Sequence, residues 1–173
     1  VTIVAEPRTE PQRDLVYDAL VYGLGATLGD LAESRVGAAL AEELHKAIGR
    51  HISEFLARHG VTYEVGDAPE DVARAVIGAF TEQLGFAVLE STEGTEDRGV
   101  HGTWRDILGL AAYAELERDY PDPFLACPLN AVIRFELEKL GHTIEVHGSR
   151  SRPSEGVLES WEEVRPGTRF LAR

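Results

Sequence analysis

Of 173 residues only one, Cys127, is a cysteine. No internal disulfide is therefore possible, and one chain cannot supply the four thiolates of an iron–sulfur cluster. No apolar stretch approaches the roughly 20 residues that a membrane span needs. Val1 to Pro11 lacks the basic-then-apolar pattern of a secretory signal. These absences give the expectation of a cytoplasmic protein without a membrane span. Basic residues are few: 17 Lys and Arg stand against 30 Asp and Glu, a formal net charge of −13. A field of that sign repels phosphate backbones, so direct nucleic-acid contact is not expected and the charge reads as a source of solubility. Arg150, Arg152 and Arg165 are the best candidates for a local basic patch. Internal repeats and low-complexity segments are absent. So is a glycine-rich phosphate loop, because Gly23-Leu24-Gly25 lies inside a helical pattern rather than after a strand.

What is present suits a single α+β domain over 1–173. Apolar residues make up 43% of an 18.9 kDa chain, enough for a real core. Residues 1–11 read as a flexible N-terminal segment. Leu15, Ala19 and Tyr22, with Val16 and Leu20 beside them, give the first helical stripe, weakened at Gly23–Gly25 and broken near Gly29-Asp30. Val36, Leu40, Leu44, Ile48, Ile52 and Phe55 then mark a long helix from Glu33 to His59. A helix this long, placed early, packs against another helix or a second subunit, so 12–60 reads as a dimerisation part. The remainder, 61–173, reads as an α+β part holding a pocket. Asp67-Ala68-Pro69-Glu70-Asp71 starts a helix with the stripe Val72, Val76, Ile77, Phe80, Leu84. Phe86 to Leu89 and Val100 to Trp104 read as a strand pair around an acidic loop, Glu90 to Gly99. Ile107 to Glu117 is helical and is broken by Asp119 to Pro123; Cys127-Pro128 opens the last helix, ending at Gly141. His142 to His147 and Val157 to Val164 are strands flanking a flexible basic loop, Gly148 to Gly156, and Arg165-Pro166-Gly167 is a turn. Strand pairs separated by helices favour a mainly antiparallel sheet over a doubly wound parallel one.

Four groups of residues carry chemistry. Glu42 and His45 make a Glu-x-x-His step, as in carboxylate-bridged metal bundles, but no second copy exists, and a solvated helix face explains it better. Cys127 at a helix N-terminus suits a nucleophile or ligand, and His101, His142 and His147 are its candidate bases; a packed core thiol is the plainer reading. His142 and His147 flank a strand at a spacing that directs them to opposite faces. His101, Trp104 and Arg105 together suit a planar or anionic ligand, set against an exposed hairpin tip. The bend Tyr113, Tyr120, Pro121, Pro123 and Phe124 either closes a pocket or covers two helices. No metal-ligand spacing stands out, and nothing specifies a cofactor.

The stretch from Val72 to Val164 resembles the vinyl-4-reductase-type small-molecule-binding domains, which share the TRAPP-like fold. The resemblance lies in Leu84-Gly85-Phe86-Ala87-Val88-Leu89 after a helix, in Pro123 to Ile133 with a cysteine opening a helix, and in Leu137 to Val146 as a helix–glycine–strand exit. It implies long N-terminal helices that pair two subunits and a pocket lined by Cys127. Metal- or redox-binding members usually carry a further cysteine near the end. Ser149 to Leu158 has none here, so a cysteine-rich metal site is not implied. The resulting expectation is a regulatory module, homodimeric, that binds a small apolar molecule through Cys127, His101, Trp104, Arg105 and Phe124. A small cysteine- or histidine-dependent enzyme and a structural dimerisation or adaptor domain are the alternatives.

Overall fold

A computed structural model describes residues 10–94 and 99–166. Most of the segment 1–11, part of the acidic loop 90–99 and Gly167 of the final turn lie outside the described residues. The described chain has an α+β fold with its long helices first: α1 (Glu10–Ala32), α2 (Arg35–Arg58), α3 (Pro69–Gly78), β1 (Val88–Gly94), β2 (Val100–Arg105), α4 (Leu110–Asp119), α5 (Pro128–Lys139), β3 (His142–Arg152) and β4 (Val157–Pro166). The four strands form one sheet in the order β1-β2-β4-β3, antiparallel throughout.

Local signals explain most boundaries. Ser34 caps α2 by accepting a 3.0 Å hydrogen bond from the Gly37 N–H. Pro69 fills the first turn of α3, with Glu70 and Asp71 near the positive end of the helix dipole. Gly141 takes the left-handed conformation (φ 74°) that turns the chain from α5 into β3. Two elements differ from the sequence pattern. α1 runs unbroken through its glycines to Ala32, because α4 needs them: a methyl group on Gly25 would meet the Leu116 side chain at 2.6 Å, and one on Gly29 the Tyr120 ring at 2.2 Å. The supposed basic loop after Gly148 is mostly strand. β3 continues to Arg152, with a bulge between Val146 and Gly148. Ser149 and Ser151 donate to the Glu117 carboxylate of α4, and Arg152 pairs with Glu155 and Glu159. Each side of the segment therefore has partners.

Packing is layered. α4 and α5 lie on β3, and α3 packs on α5; α1 and α2 lie outside them, α1 against α4 and α2 against α5. α5 is thus covered on both sides, and Leu129 to Arg134, Glu136 and Leu137 are all buried. The main core collects Val72, Val76, Phe80, Tyr113, Val132 and Leu137 from three helices and the helical turn after α3. Burying each such side chain is worth about 1.5–3 kcal/mol.

α2 turns small residues inward: Gly37, Ala41, His45 and Gly49 are its buried positions. A methyl group on Gly49 would stand 2.0 Å from the Ala131 carbonyl oxygen, so the α2 and α5 backbones touch there. Of the large apolar residues of the sequence stripe, Val36, Leu40, Leu44 and Phe55 face out, with Val36 83% exposed and Phe55 53%, while Ile48 and Ile52 are half-buried against the core. α1 is apolar on both sides. Val21 and Leu28 are buried, while Leu15, Val16, Leu20 and Leu24 are exposed.

Candidate functional site: the sheet's inner face at Cys127

Alternation along β2 and β4 sorts their side chains into two sets. Trp104, Leu158, Ser160 and Glu162 take the inner face, toward the helices. His101 pairs with Trp161 on the outer face, their rings stacked at 4.6 Å and 5°. A cavity of about 40 Å3 opens between the inner face and the first turns of α5, lined by Cys127, Trp104, Phe124, Asn130, Ser160 and Glu162 among others. Three of the five residues read from the sequence, Cys127, Trp104 and Phe124, meet there. His101 and Arg105 do not: odd-numbered positions of β2 point away, and Arg105 pairs with Glu90 and reaches the Glu155 carbonyl at 3.3 Å.

The cavity has a polar chain on an apolar ground. Gly102, two residues before Trp104 on the same face, leaves room for the indole; a methyl group there would stand 2.9 Å from its Nε1. The indole N–H donates to the Ser160 oxygen at 3.2 Å. Trp104 can only donate, so the Ser160 hydroxyl keeps its own proton on the side of Glu162, whose charged form it favours. Burial pushes the Glu162 carboxyl up to about 7, and nearby Asp122 adds to this; Arg134 and Ser160 pull the other way. Glu162 as a residue is half-buried, with its carboxyl on the protein side. Sequence reasoning missed it. Its signal was the position of an acid in the alternating set Leu158, Ser160, Glu162, Val164, which begins and ends with apolar residues.

Cys127 is the last residue before α5, and its thiol is buried. Burial pushes that thiol up to about 11, against the opposing pull of the Tyr113 hydroxyl and the Asn130 and Leu129 main chain. The helix terminus is therefore overridden by desolvation, and a reactive thiolate does not form at neutral pH. None of its candidate bases comes to it. His101 and His147 lie on the outer face, His147 3.0 Å from Glu163, and His142 holds the Leu140 carbonyl at 3.0 Å. The histidine that does approach Cys127 is His45, fully buried on α2 beside the Cys127 main chain. Burial, and then the Arg134 charge, hold its pKa down to about 3, so it stays neutral. Neither His45 nitrogen has a protein hydrogen-bond partner of good geometry. Of the Glu-x-x-His step only the acids behave as a solvated face, Glu42 pairing with Lys46 at 3.3 Å.

Arg134 braces the site from behind. It donates to Asn130 and to Asp122, each at 2.8 Å, while Asp122 accepts the Phe124 N–H at 2.9 Å. This clasp fixes the Asp-Pro bend against α5. It sets Phe124 on Tyr113, edge to face at 5.6 Å. Among the described residues no group of three or more His, Cys, Asp or Glu side chains gathers as metal ligands.

Beside the cavity runs a larger groove of about 670 Å3 between α3 and the sheet. Pro69, Ala73 and Ile77 form its helix wall, and Val88, Val100 and Val164 its strand wall. Ile77 lines both spaces. The helix wall ends in a π-helical turn, Ala79–Gln83, in which Thr81 and Glu82 face the groove. Such turns are frequent at functional sites. Compared with protein-family models and with curated proteins, the sequence matches none.

Proposed function

We propose that the chain is a regulatory ligand-binding module that takes up a small, largely apolar molecule between its sheet and α3 and α5. One observation carries the reading: the cavity at Cys127 shares Ile77 with an apolar groove whose volume falls in the range of small-molecule sites. The cavity alone holds little more than a head group; the groove supplies the area over which hydrocarbon leaves water, at about 25 cal/mol per Å2 before association costs. A vinyl-4-reductase-type, TRAPP-like assignment is part of this proposal. It is supported by the order of the elements and by a cysteine opening the helix that covers the sheet. Homodimerisation belongs to it as well, supported by the outward apolar residues of α1 and α2. The enzyme alternative is weakened by a Cys127 thiol moved up rather than down.

Fluorescence tests the reading. In a Trp161→Phe background Trp104 is the remaining tryptophan of the two in the sequence. Titration with n-octanol is expected to change its emission saturably, and Ala73→Phe, which fills the groove from α3, to remove that change. No saturable change, or one indifferent to Ala73→Phe, would overturn the reading.

A further inference from the structure

The ionisable side chains around the cavity at Cys127 are unevenly distributed. Among the described residues the cavity lining includes one acid, Glu162, and no Lys, Arg or His. Arg134, whose charge acts on Glu162, is held by Asp122 and Asn130 and does not line the cavity, while Arg165 and His147 share a separate pocket with Glu162 and are paired with Glu163. Asp122 acts on Glu162 as a negative charge, and its partner Arg134 offsets that effect. At the groove Glu70 and Glu82 line the space, and Arg74, the one cation among the described lining residues, is paired with Asp71 at 2.9 Å. The whole chain carries −13. An anionic head would pass Glu70 and Glu82 at the groove and then meet Glu162, with no cation in the described cavity lining. A neutral head would leave Glu162 with only Ser160. A cation satisfies the carboxylate that burial otherwise penalises.

We propose that the site takes a cationic amphiphile, a primary alkylammonium, with its ammonium against the Glu162 carboxylate and its hydrocarbon part along the groove past Ile77. This rests on the ligand-binding reading above. The ammonium brings three N–H donors, enough to reach Glu162, the Asn130 side-chain oxygen and the Ser160 hydroxyl. Hydrogen bonds to charged groups exceed neutral ones in strength, so the head group sets the choice of ligand while the groove supplies affinity.

Three probes of one chain length test it in the Trp161→Phe background at about pH 8, above the raised range of the Glu162 carboxyl: n-octylamine, n-octanol and octanoate. The amine is expected to bind roughly tenfold or more tightly than the alcohol, and octanoate weakest. Glu162→Gln, nearly the same shape, is expected to erase the preference of amine over alcohol while the alcohol still binds. Ser160→Ala, which removes only the neighbouring hydroxyl, is expected to reduce that preference in part, and serves if the Gln variant does not fold. Alcohol or octanoate binding as tightly as amine would overturn the proposal and leave the pocket reading intact. So would an amine preference that survives Glu162→Gln. Binding of none of the three would remove both.

Discussion

Burial holds the His45 imidazole neutral, with its pKa lowered from 6.5 to about 3, and moves the Glu162 carboxyl from 4.5 up to about 7. The two act on stability with opposite signs. Below pH 6.5 the unfolded chain protonates His45 and the folded chain does not, so stability is lost as pH falls toward 3. Glu162 keeps its proton in the folded state after the unfolded chain has released it, so stability is lost as pH rises from 4.5 to 7 and then levels off. Between 4.5 and 6.5 the two slopes cancel. Relative to the unsubstituted protein, Glu162→Gln should therefore gain stability as pH rises through that window, and His45→Leu should lose it, each by up to about 1.4 kcal/mol per pH unit. Urea denaturation at several pH values reads both, and parallel slopes for the two variants would refute the assignment. Cys127 gives a second expectation. As a buried thiol raised to about 11 it should react with a disulfide reagent only as fast as the protein opens, and rapid stoichiometric labelling of the folded protein would contradict this.

The helices show where pattern reading reaches and where it stops. Pro69 and Gly141 mark ends that local chemistry dictates, and those ends were legible; the Ser34 cap of α2 was not singled out, the helix being begun one residue earlier at Glu33. Which face of α2 turns inward was not. The large residues Val36, Leu40 and Leu44 gave the visible stripe, yet the Gly37–Ala41–His45–Gly49 face turns inward, with Gly37 against Leu31 of α1 and Gly49 against Ala131 of α5. Close backbone approach needs small residues, and small residues leave a weak mark in hydrophobic periodicity. The same blindness hid the burial of His45, which was read with Glu42 as a solvated face, and it hid Glu162, which looks like one of many surface acids. Trp104, Phe124 and Cys127 were found because aromatic and thiol side chains stand out by type; His101 and Arg105 were grouped with them by proximity in sequence, which strand alternation undoes. Two substitutions test this packing. Gly49→Ala gains about 1 kcal/mol of helix propensity but drives a methyl group into the Ala131 carbonyl, so a net loss of about 1–3 kcal/mol is expected. Gly23→Ala meets nothing within 4 Å and should stabilise by up to about 1 kcal/mol. Thermal denaturation of the pair separates the two, and equal shifts would contradict the α2–α5 contact.

Across the whole molecule the sheet, α3 to α5, and α1 with α2 form successive layers, with the candidate pocket between the first two and an unpartnered apolar surface on the third. No described helix is long and apolar enough to cross a membrane. Leu20 and Leu40 are each at least half exposed, and a second copy of the chain is the proposed cover. Leu20→Glu with Leu40→Glu should give a folded monomer by analytical ultracentrifugation where the unsubstituted protein sediments as a dimer. A substituted protein that still dimerises would move the interface elsewhere. The most direct measurement of the central claim is native mass spectrometry of the protein mixed with n-octanol or n-octylamine. The account predicts a dimer carrying one added molecule per chain, lost on Ala73→Phe. A bare chain mass at saturating ligand, with and without that substitution, would contradict it.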